Sequence, residues 1–504
     1  MGVIAKQSVR GTIVTYLGIA VGIVTTFFVL TRFLTAEEIG LARVLIDAST
    51  LFIGLAQLGT SSSIIRFYPY FLSPTGNDNS KSNDHGFFFW SIVVPFIGFV
   101  IFALIYWACR VPLGAWFGDK SPLFVQYYYF VIPIAFFMLY QTIFETTSNV
   151  LMHIVLPRAV RELIVRVGLL ALYLLYAFKV LSLDGFVIGL CVNYGIAALI
   201  NLCYFFALQP ISLRPDWQFL RENKSLVRRY LVYTGFLIVS AATTILAPTL
   251  SSFFVTAKMG LDSTGVFAIA TYMAVMVSVP YRSVTAIASP QLAHAIKEQN
   301  REECSLLIRQ VTRNLLLIGG FILLLIWFNI DLIFHILPNG AIYATAKNVV
   351  LILGVSQLIL ATFTICLTAL NYSRFYAFSL LLSLILTVSA ILLNNYLIPL
   401  YGMEGAAMSN LLSYGLYFVL IIATVVPLCK VKIVDRTWWW GLLLLIVLFG
   451  LNTLWQAYLP TLNIWIDSLL RTIVLLGGGA WIVYRSQLSP EINALLHSVF
   501  IRRK

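Results

Sequence analysis

Long apolar runs alternate with short polar connections along the whole chain. Gly11 to Leu30 carries no charge over 20 residues, and at 1.5 Å rise per residue a helix of that length covers a hydrocarbon core of about 30 Å. Runs bounded by charge, Pro or Gly predict membrane-spanning helices near 11–31, 41–66, 87–108, 124–151, 160–180, 185–207, 231–256, 264–287, 314–335, 347–370, 375–397, 404–427, 437–458 and 463–485, fourteen in all. The ten-residue alternation of an outer-membrane barrel is absent, and backbone amides in hydrocarbon must pair within their own element. The expected fold class is therefore an all-α polytopic membrane protein.

Composition agrees: 60% of the residues are hydrophobic, 11% are charged, and the mean hydropathy is +0.92. The formal charge of +13 would fit nucleic acid in a soluble protein. Here the excess Lys and Arg fall in connections between spans, where they orient the chain and meet anionic headgroups, so no nucleic-acid partner is expected. With the N-terminus inside, 25 of the 33 Lys and Arg lie on the inner side and seven on the outer, with Arg471 inside the last span. Both termini are then cytoplasmic. The first run is too long for a signal peptide and no small-x-small pattern follows it, so it reads as an uncleaved span.

The longest polar pieces, 73–86, 209–229 and 290–313, are far shorter than a soluble domain of about 50 residues. The organisation expected is an N-terminal six-span lobe over 1–208, a basic cytoplasmic linker over 209–230, a second six-span lobe over 231–428, and two further spans with a basic tail over 429–504. A weak internal repeat supports this: DGFVIGLCVNYG from Asp184 to Gly195 returns as EGAAMSNLLSYG from Glu404 to Gly415. Gln141 and Arg158 return as Gln357 and Arg374. An offset of six spans keeps both copies in one orientation, as parallel repeats with a substrate path between them.

Charges at bilayer depth are the candidate chemistry, since each costs about 3 kcal/mol or more unless it finds a partner or water. Arg43 and Asp47 stand at i and i+4, on one helix face. They form a neutralising structural pair or line a cavity where Arg43 meets an anion, and the two readings are compatible. Arg32 closes the first span, where snorkelling to the headgroups is the plainer alternative. Arg282 lies at the inner end of the eighth span, where it either anchors the helix or faces the cavity. Gln57, Glu145 and Asn149 are weaker candidates, being polar groups that usually hydrogen-bond neighbouring helices. Asp467 and Arg471 repeat the i, i+4 pairing beside Gly477 to Gly479, and there structural glue is the expectation.

Six scattered cysteines without C-x-x-C and five dispersed histidines imply neither a disulfide framework nor a metal site. There is no G-x-x-x-x-G-K-[ST], H-E-x-x-H or G-x-S-x-G, so nucleotide hydrolysis and the commonest hydrolase arrangements lack their residues. No cofactor is expected.

The stretch GLARVLIDASTLFIGLAQLGTSSSIIRFYPYF from Gly40 to Phe71, with the fourteen-span plan and the two lobes, resembles the O-antigen and lipid-linked oligosaccharide flippases, the Wzx-type branch of the multidrug/oligosaccharidyl-lipid/polysaccharide exporter superfamily. The resemblance implies a transporter, not an enzyme. It implies transfer of an undecaprenyl-pyrophosphate-linked oligosaccharide from the inner to the outer leaflet of a bacterial inner membrane, for surface polysaccharide (lipopolysaccharide) synthesis. Arg32, Arg43 and Arg282 would be cavity arginines, with membrane lipids around them and a polysaccharide polymerase as a candidate partner. A drug or organic-cation antiporter of the same superfamily is the alternative; it would want acids in its cavity, where Asp47 and Glu145 are the deep acids of the N-terminal lobe, and usually twelve spans. A membrane glycan polymerase or ligase is a third class. It would want a large outer loop with clustered acid or His, which the stretch around Arg110 to Gln126 lacks.

Overall fold

A computed structural model describes residues 3–71, 85–151, 153–208, 215–458, 463–491 and 493. Most of the polar connection 73–86, the start of the basic linker at 209–214 and most of the C-terminal tail lie outside the described residues. Among the described residues every regular element is helical.

Eleven helical stretches are long and apolar enough to cross a bilayer, fewer than the fourteen expected. One of them, Ala377–Cys429, has 53 residues, about 80 Å if straight and far more than a bilayer needs. It is two helices meeting at a corner, where Gly402 takes φ 59° and ψ −133°. The expected spans at 160–180 and 231–256 are helical but stand outside the eleven. The first is divided into Val155–Ala159, a π-helical turn Val160–Ile164 and Val165–Ala177, and carries Arg158, Arg161, Glu162 and Arg166. The second is part of the 36-residue helix Lys224–Met259.

The second expected span also differs, because the helix begins and ends earlier than 41–66. It starts at Ala36, where Thr35 and Glu38 form a capping box: the Glu38 N–H donates to Thr35 Oγ1 at 3.2 Å and the Thr35 N–H to Glu38 Oε2 at 2.8 Å. It stops at Ala56, because Leu58 and Gly59 turn left-handed at φ 46° and 70° and a new helix runs over Thr60–Phe71.

The chain forms two compact units, Met1–Gly265 and Val266–Lys504. The Lys224–Met259 helix belongs to the first and packs on Ala36–Ala56. The core of the first unit is aromatic: Phe52, Phe67, Tyr68, Phe88, Phe144 and Phe205 are buried together. Beside it Tyr106 and Tyr128 stack at 4.2 Å, each hydroxyl donating to the other's carbonyl. In the second unit, Leu316, Leu324 and Phe328 pack against Trp438, Leu445, Leu475 and Leu476. The two C-terminal helical stretches, Arg436–Tyr458 and Ile464–Arg485, are thus built into the core of that unit.

Candidate functional site

The Ala36–Ala56 helix buries most of its length, including Leu41, Val44, Leu45 and Ala48. Inside that apolar surface Arg43 Nε donates to Asp47 Oδ2 at 2.7 Å. Asp47 is 8% exposed and Arg43 19%. A carboxylate this deep is stable as an anion only with its guanidinium beside it, and Asp47 in turn fixes the plane of the Arg43 fork. Arg43 is thereby preorganised for an oxyanion such as a phosphate, which guanidinium groups bind in a planar, bidentate manner.

A second charged centre in the same unit joins three segments. Arg161 Nη1 meets Glu145 Oε1 at 2.8 Å, and Arg161 Nε donates to Glu162 Oε1 at 3.3 Å. Arg166 Nη2 donates to Glu162 Oε2 at 2.8 Å, and its Nη1 donates to the Gly18 carbonyl, also at 2.8 Å. Two arginines and two buried glutamates thus form a neutral network. The first helix, Val3–Val24, makes room for it: a Cβ on Gly18 would lie 2.0 Å from the Glu162 carbonyl oxygen, and one on Gly22 would lie 3.1 Å from Arg166 Nη1. Glycines at i and i+4 let the two backbones approach.

The sequence candidates are placed unevenly around these centres. Arg43 and Asp47 come together as their spacing predicts. Glu145 is ion-paired, a stronger bond than the interhelical hydrogen bond expected of it. Asn149, one turn further along, has its Oδ1 buried without a partner among the described residues. Gln57 caps the end of the Ala36–Ala56 helix and accepts from Ser61 Oγ at 2.9 Å. Arg32 is exposed, with its guanidinium 5.4 Å from the Phe33 ring. Arg282 is an exposed residue of the second unit. Asp467 and Arg471 are paired at 2.6 Å, Arg471 is 3% exposed, and the Trp455 Nε1–H donates to Asp467 Oδ1 at 2.9 Å. That is an internal tie between two helices.

Sequence reasoning does not single out Glu162, and it takes Arg161 and Arg166 only as orienting charges. The usable signal is the i, i+4 spacing of Glu162 with Arg166, matched by that of Gly18 with Gly22. Among the described residues three π-helical segments punctuate the chain, at Thr25–Leu30, Val160–Ile164 and Thr472–Gly477. Each contains or nearly adjoins a charged residue: Arg32, Glu162 and Arg471. Such widened turns occur most often where a side chain is re-aimed for a purpose.

The described residues thus form an all-helical body with eleven stretches able to cross a membrane and arginine–carboxylate centres inside its first unit. No family model matches the chain, and no curated protein matches its sequence. Solved structures do. A lipid II flippase MurJ in an inward closed conformation superposes with a TM-score of 0.70, covering 95% of this chain and 100% of that one at 11% identity. An inward-facing multidrug resistance MATE family transporter of the MOP superfamily gives 0.61, over 84% and 99%, at 14% identity. A point mutant of the Vibrio cholerae MATE transporter VcmN gives 0.55, over 84% and 98%, at 15% identity. At such identities the likeness is one of fold. The fold is that of MOP-superfamily transporters and flippases.

Proposed function

We propose that the protein is a flippase that carries an undecaprenyl-pyrophosphate-linked oligosaccharide from the inner to the outer leaflet of a bacterial inner membrane, by alternating access. Both termini are cytoplasmic in this reading, and 1–208 and 231–428 act as the two lobes, with 209–230 as their linker. Arg43 is the pyrophosphate ligand that Asp47 orients; Arg32 and Arg282 add positive charge along the path. A polysaccharide polymerase is the natural consumer of the product.

The observation that carries this over a cation antiporter is the pairing of acids. Asp47, Glu145 and Glu162 are the buried carboxylates among the described residues, and each is bound to an arginine. A carrier of cations needs a buried carboxylate it can offer to cargo, and these are already neutralised. A guanidinium held in a fixed plane instead suits an anionic head.

The test is reconstitution of the protein alone into vesicles with lipid-linked oligosaccharides of several repeat structures, scoring transfer between leaflets. An inside-negative potential contributes about 2.3 kcal/mol per charge per 100 mV to an anion moving outward. Collapsing the potential in energised vesicles is therefore expected to slow transfer several-fold, and ATP added to unenergised vesicles to do nothing. Failure to move any lipid-linked oligosaccharide, with efflux of organic cations in the same vesicles, would overturn the flippase reading in favour of the antiporter.

A further inference from the structure

A cavity of about 280 Å3 lies wholly within the second unit, away from Arg43 and the network around Glu162. Its floor is apolar, formed by residues such as Leu292, Ile296, Ile308 and Leu428, and its rim carries Arg301 and Arg374. Three membrane-crossing helical stretches meet it at their ends. Arg301 opens the stretch Arg301–Phe328, Arg374 follows Tyr372 at the end of Gly340–Tyr372, and Cys429 closes Ala377–Cys429 while lining the cavity. The apolar part of Arg301–Phe328 begins only near Asn314, whereas the other two stretches stay apolar to Leu370 and Leu428, so Arg374 and Cys429 stand at the level of the bilayer surface and Arg301 begins its helix several turns before the apolar part. Tyr372 and Tyr376 are half-exposed at the same end, as aromatic side chains are at headgroup depth.

The charges at this rim are not spent on the protein. Among the described residues neither Arg301 nor Arg374 pairs with a carboxylate; Arg374 lies over the Phe375 ring at 4.7 Å. The nearest acids in sequence are engaged or turned to the helix start. Glu303 receives the Asn300 Nδ2–H at 3.1 Å within the helix cap, and Glu302 is exposed in the same first turn. Lys297, Lys430 and Lys432 adjoin lining residues in sequence, as do Glu298, Glu302 and Glu303, so that with Arg301 and Arg374 the surroundings keep a net positive charge. Two guanidinium groups beside an apolar floor, at the membrane-surface end of a helix bundle, match a phosphorylated amphiphile. A soluble phosphate would gain nothing from the floor.

We propose that this cavity is a binding site for an anionic phospholipid, with Arg301 and Arg374 holding the phosphodiester and the floor taking the first part of an acyl chain. The proposal does not depend on what the protein transports. Basic pockets between membrane helices at the bilayer surface are a recurrent means of holding acidic headgroups. Bound there, the lipid would tie together the ends of three helical stretches of the second unit.

Native mass spectrometry of the purified full chain, given phosphatidylglycerol or phosphatidylcholine, tests this. The unaltered protein is expected to retain phosphatidylglycerol preferentially, by roughly tenfold or more for two basic side chains. The Arg301→Gln/Arg374→Gln variant should lose the preference, whereas Arg228→Gln/Arg229→Gln, which removes the same charge from exposed positions in the first unit, should keep it. A preference unchanged in the first variant overturns the proposal. Cys429 gives a second readout that needs no rim variant. In a chain whose other cysteines are replaced by serine, or by peptide-level mass spectrometry if that chain does not purify, phosphatidylglycerol should slow alkylation of Cys429 by N-ethylmaleimide several-fold. Inorganic phosphate and glycerophosphoglycerol should not. Equal protection by inorganic phosphate would make this a site for a soluble anion and overturn the lipid assignment, as would no protection by any of them.

Discussion

The two units solve the problem of charge in a membrane protein in opposite ways. The first keeps charge inside its helices: Asp47, Glu145 and Glu162 are each under 10% exposed, and each is met by an arginine. The second fills its body with leucine and tryptophan and leaves most of its paired acids more open: Asp331 meets Lys347 with both partners half-exposed, and the buried Arg313, midway along Arg301–Phe328, is met by the more exposed Asp435 and Glu491. Its deep pair, Arg471 with Asp467, ties neighbouring helices through Trp455. Intramembrane charge is expensive and is kept where it acts. The first unit thus spends its buried carboxylates on arginine pairs, and the second rests more on apolar packing.

The largest effect should come from breaking a charge pair of the first unit and comparing it with one of the second. Arg43→Ala leaves Asp47 buried and uncompensated, which costs about 3–5 kcal/mol in comparable buried pairs. It should also abolish transfer of lipid-linked oligosaccharide. Arg43→Ala with Asp47→Ala should recover most of the thermal stability in detergent and none of the transport. Lys347→Ala removes a pair that is 36% and 43% exposed, and should cost no more than about 1 kcal/mol. A double variant that transports normally would reduce the Arg43–Asp47 pair to a structural tie and remove the functional half of the contrast.

A smaller effect is expected at single glycines, in either unit, and it depends on what each one meets. Gly18→Ala drives a methyl group into the Glu162 carbonyl. The helices must separate, at about 1–3 kcal/mol for overpacking of this kind, and the ion network separates with them. Gly22→Ala should be milder, because the neighbour it meets is the tip of Arg166. Gly478→Ala in the second unit has nothing within 4 Å and should be neutral or slightly stabilising through helix propensity. Thermal midpoints of the three variants would rank them; a destabilised Gly478→Ala with an unaffected Gly18→Ala would reverse the comparison.

The contrast was only partly legible in the sequence. Run length alone gave the helical membrane class, and the i, i+4 spacing gave the Arg43–Asp47 pair, because both are local properties of one helix. Glu145 and Arg161 are partners across 16 residues and a chain reversal, which no periodicity encodes. Glu162 was hidden among arginines that look like orienting charges, and its burial depends on the close approach of Gly18 from another helix. The stop at Leu58 and Gly59 was hidden because the apolar run continues through it, and two left-handed residues end a helix without any change in hydropathy. The packing of Lys224–Met259 on Ala36–Ala56, which puts that helix in the first compact unit, is a long-range contact that run length does not encode.

The smallest predicted effect concerns the Arg313–Glu491 pair of the second unit, where acid should matter. Burial pushes the Glu491 carboxyl up, but its backbone N–H bond and Arg313, whose Nη2 is 2.9 Å away, outweigh burial and hold it below its ordinary 4.5. A lowered carboxyl stabilises the fold above its ordinary value, and that contribution is lost as the pH falls through the lowered one. Arg313 stays charged throughout, so the loss belongs to Glu491. Because the carboxylate is 36% exposed, the contribution should be about 1 kcal/mol or less. Glu491→Gln should therefore melt slightly below the unaltered protein at neutral pH, and the gap should narrow as the pH falls below the ordinary glutamate value and through the lowered one. A gap that persists in acid would mean that Glu491 acts through its shape and neutral hydrogen bonds, and that this end of the scaffold does not depend on charge as the first unit does.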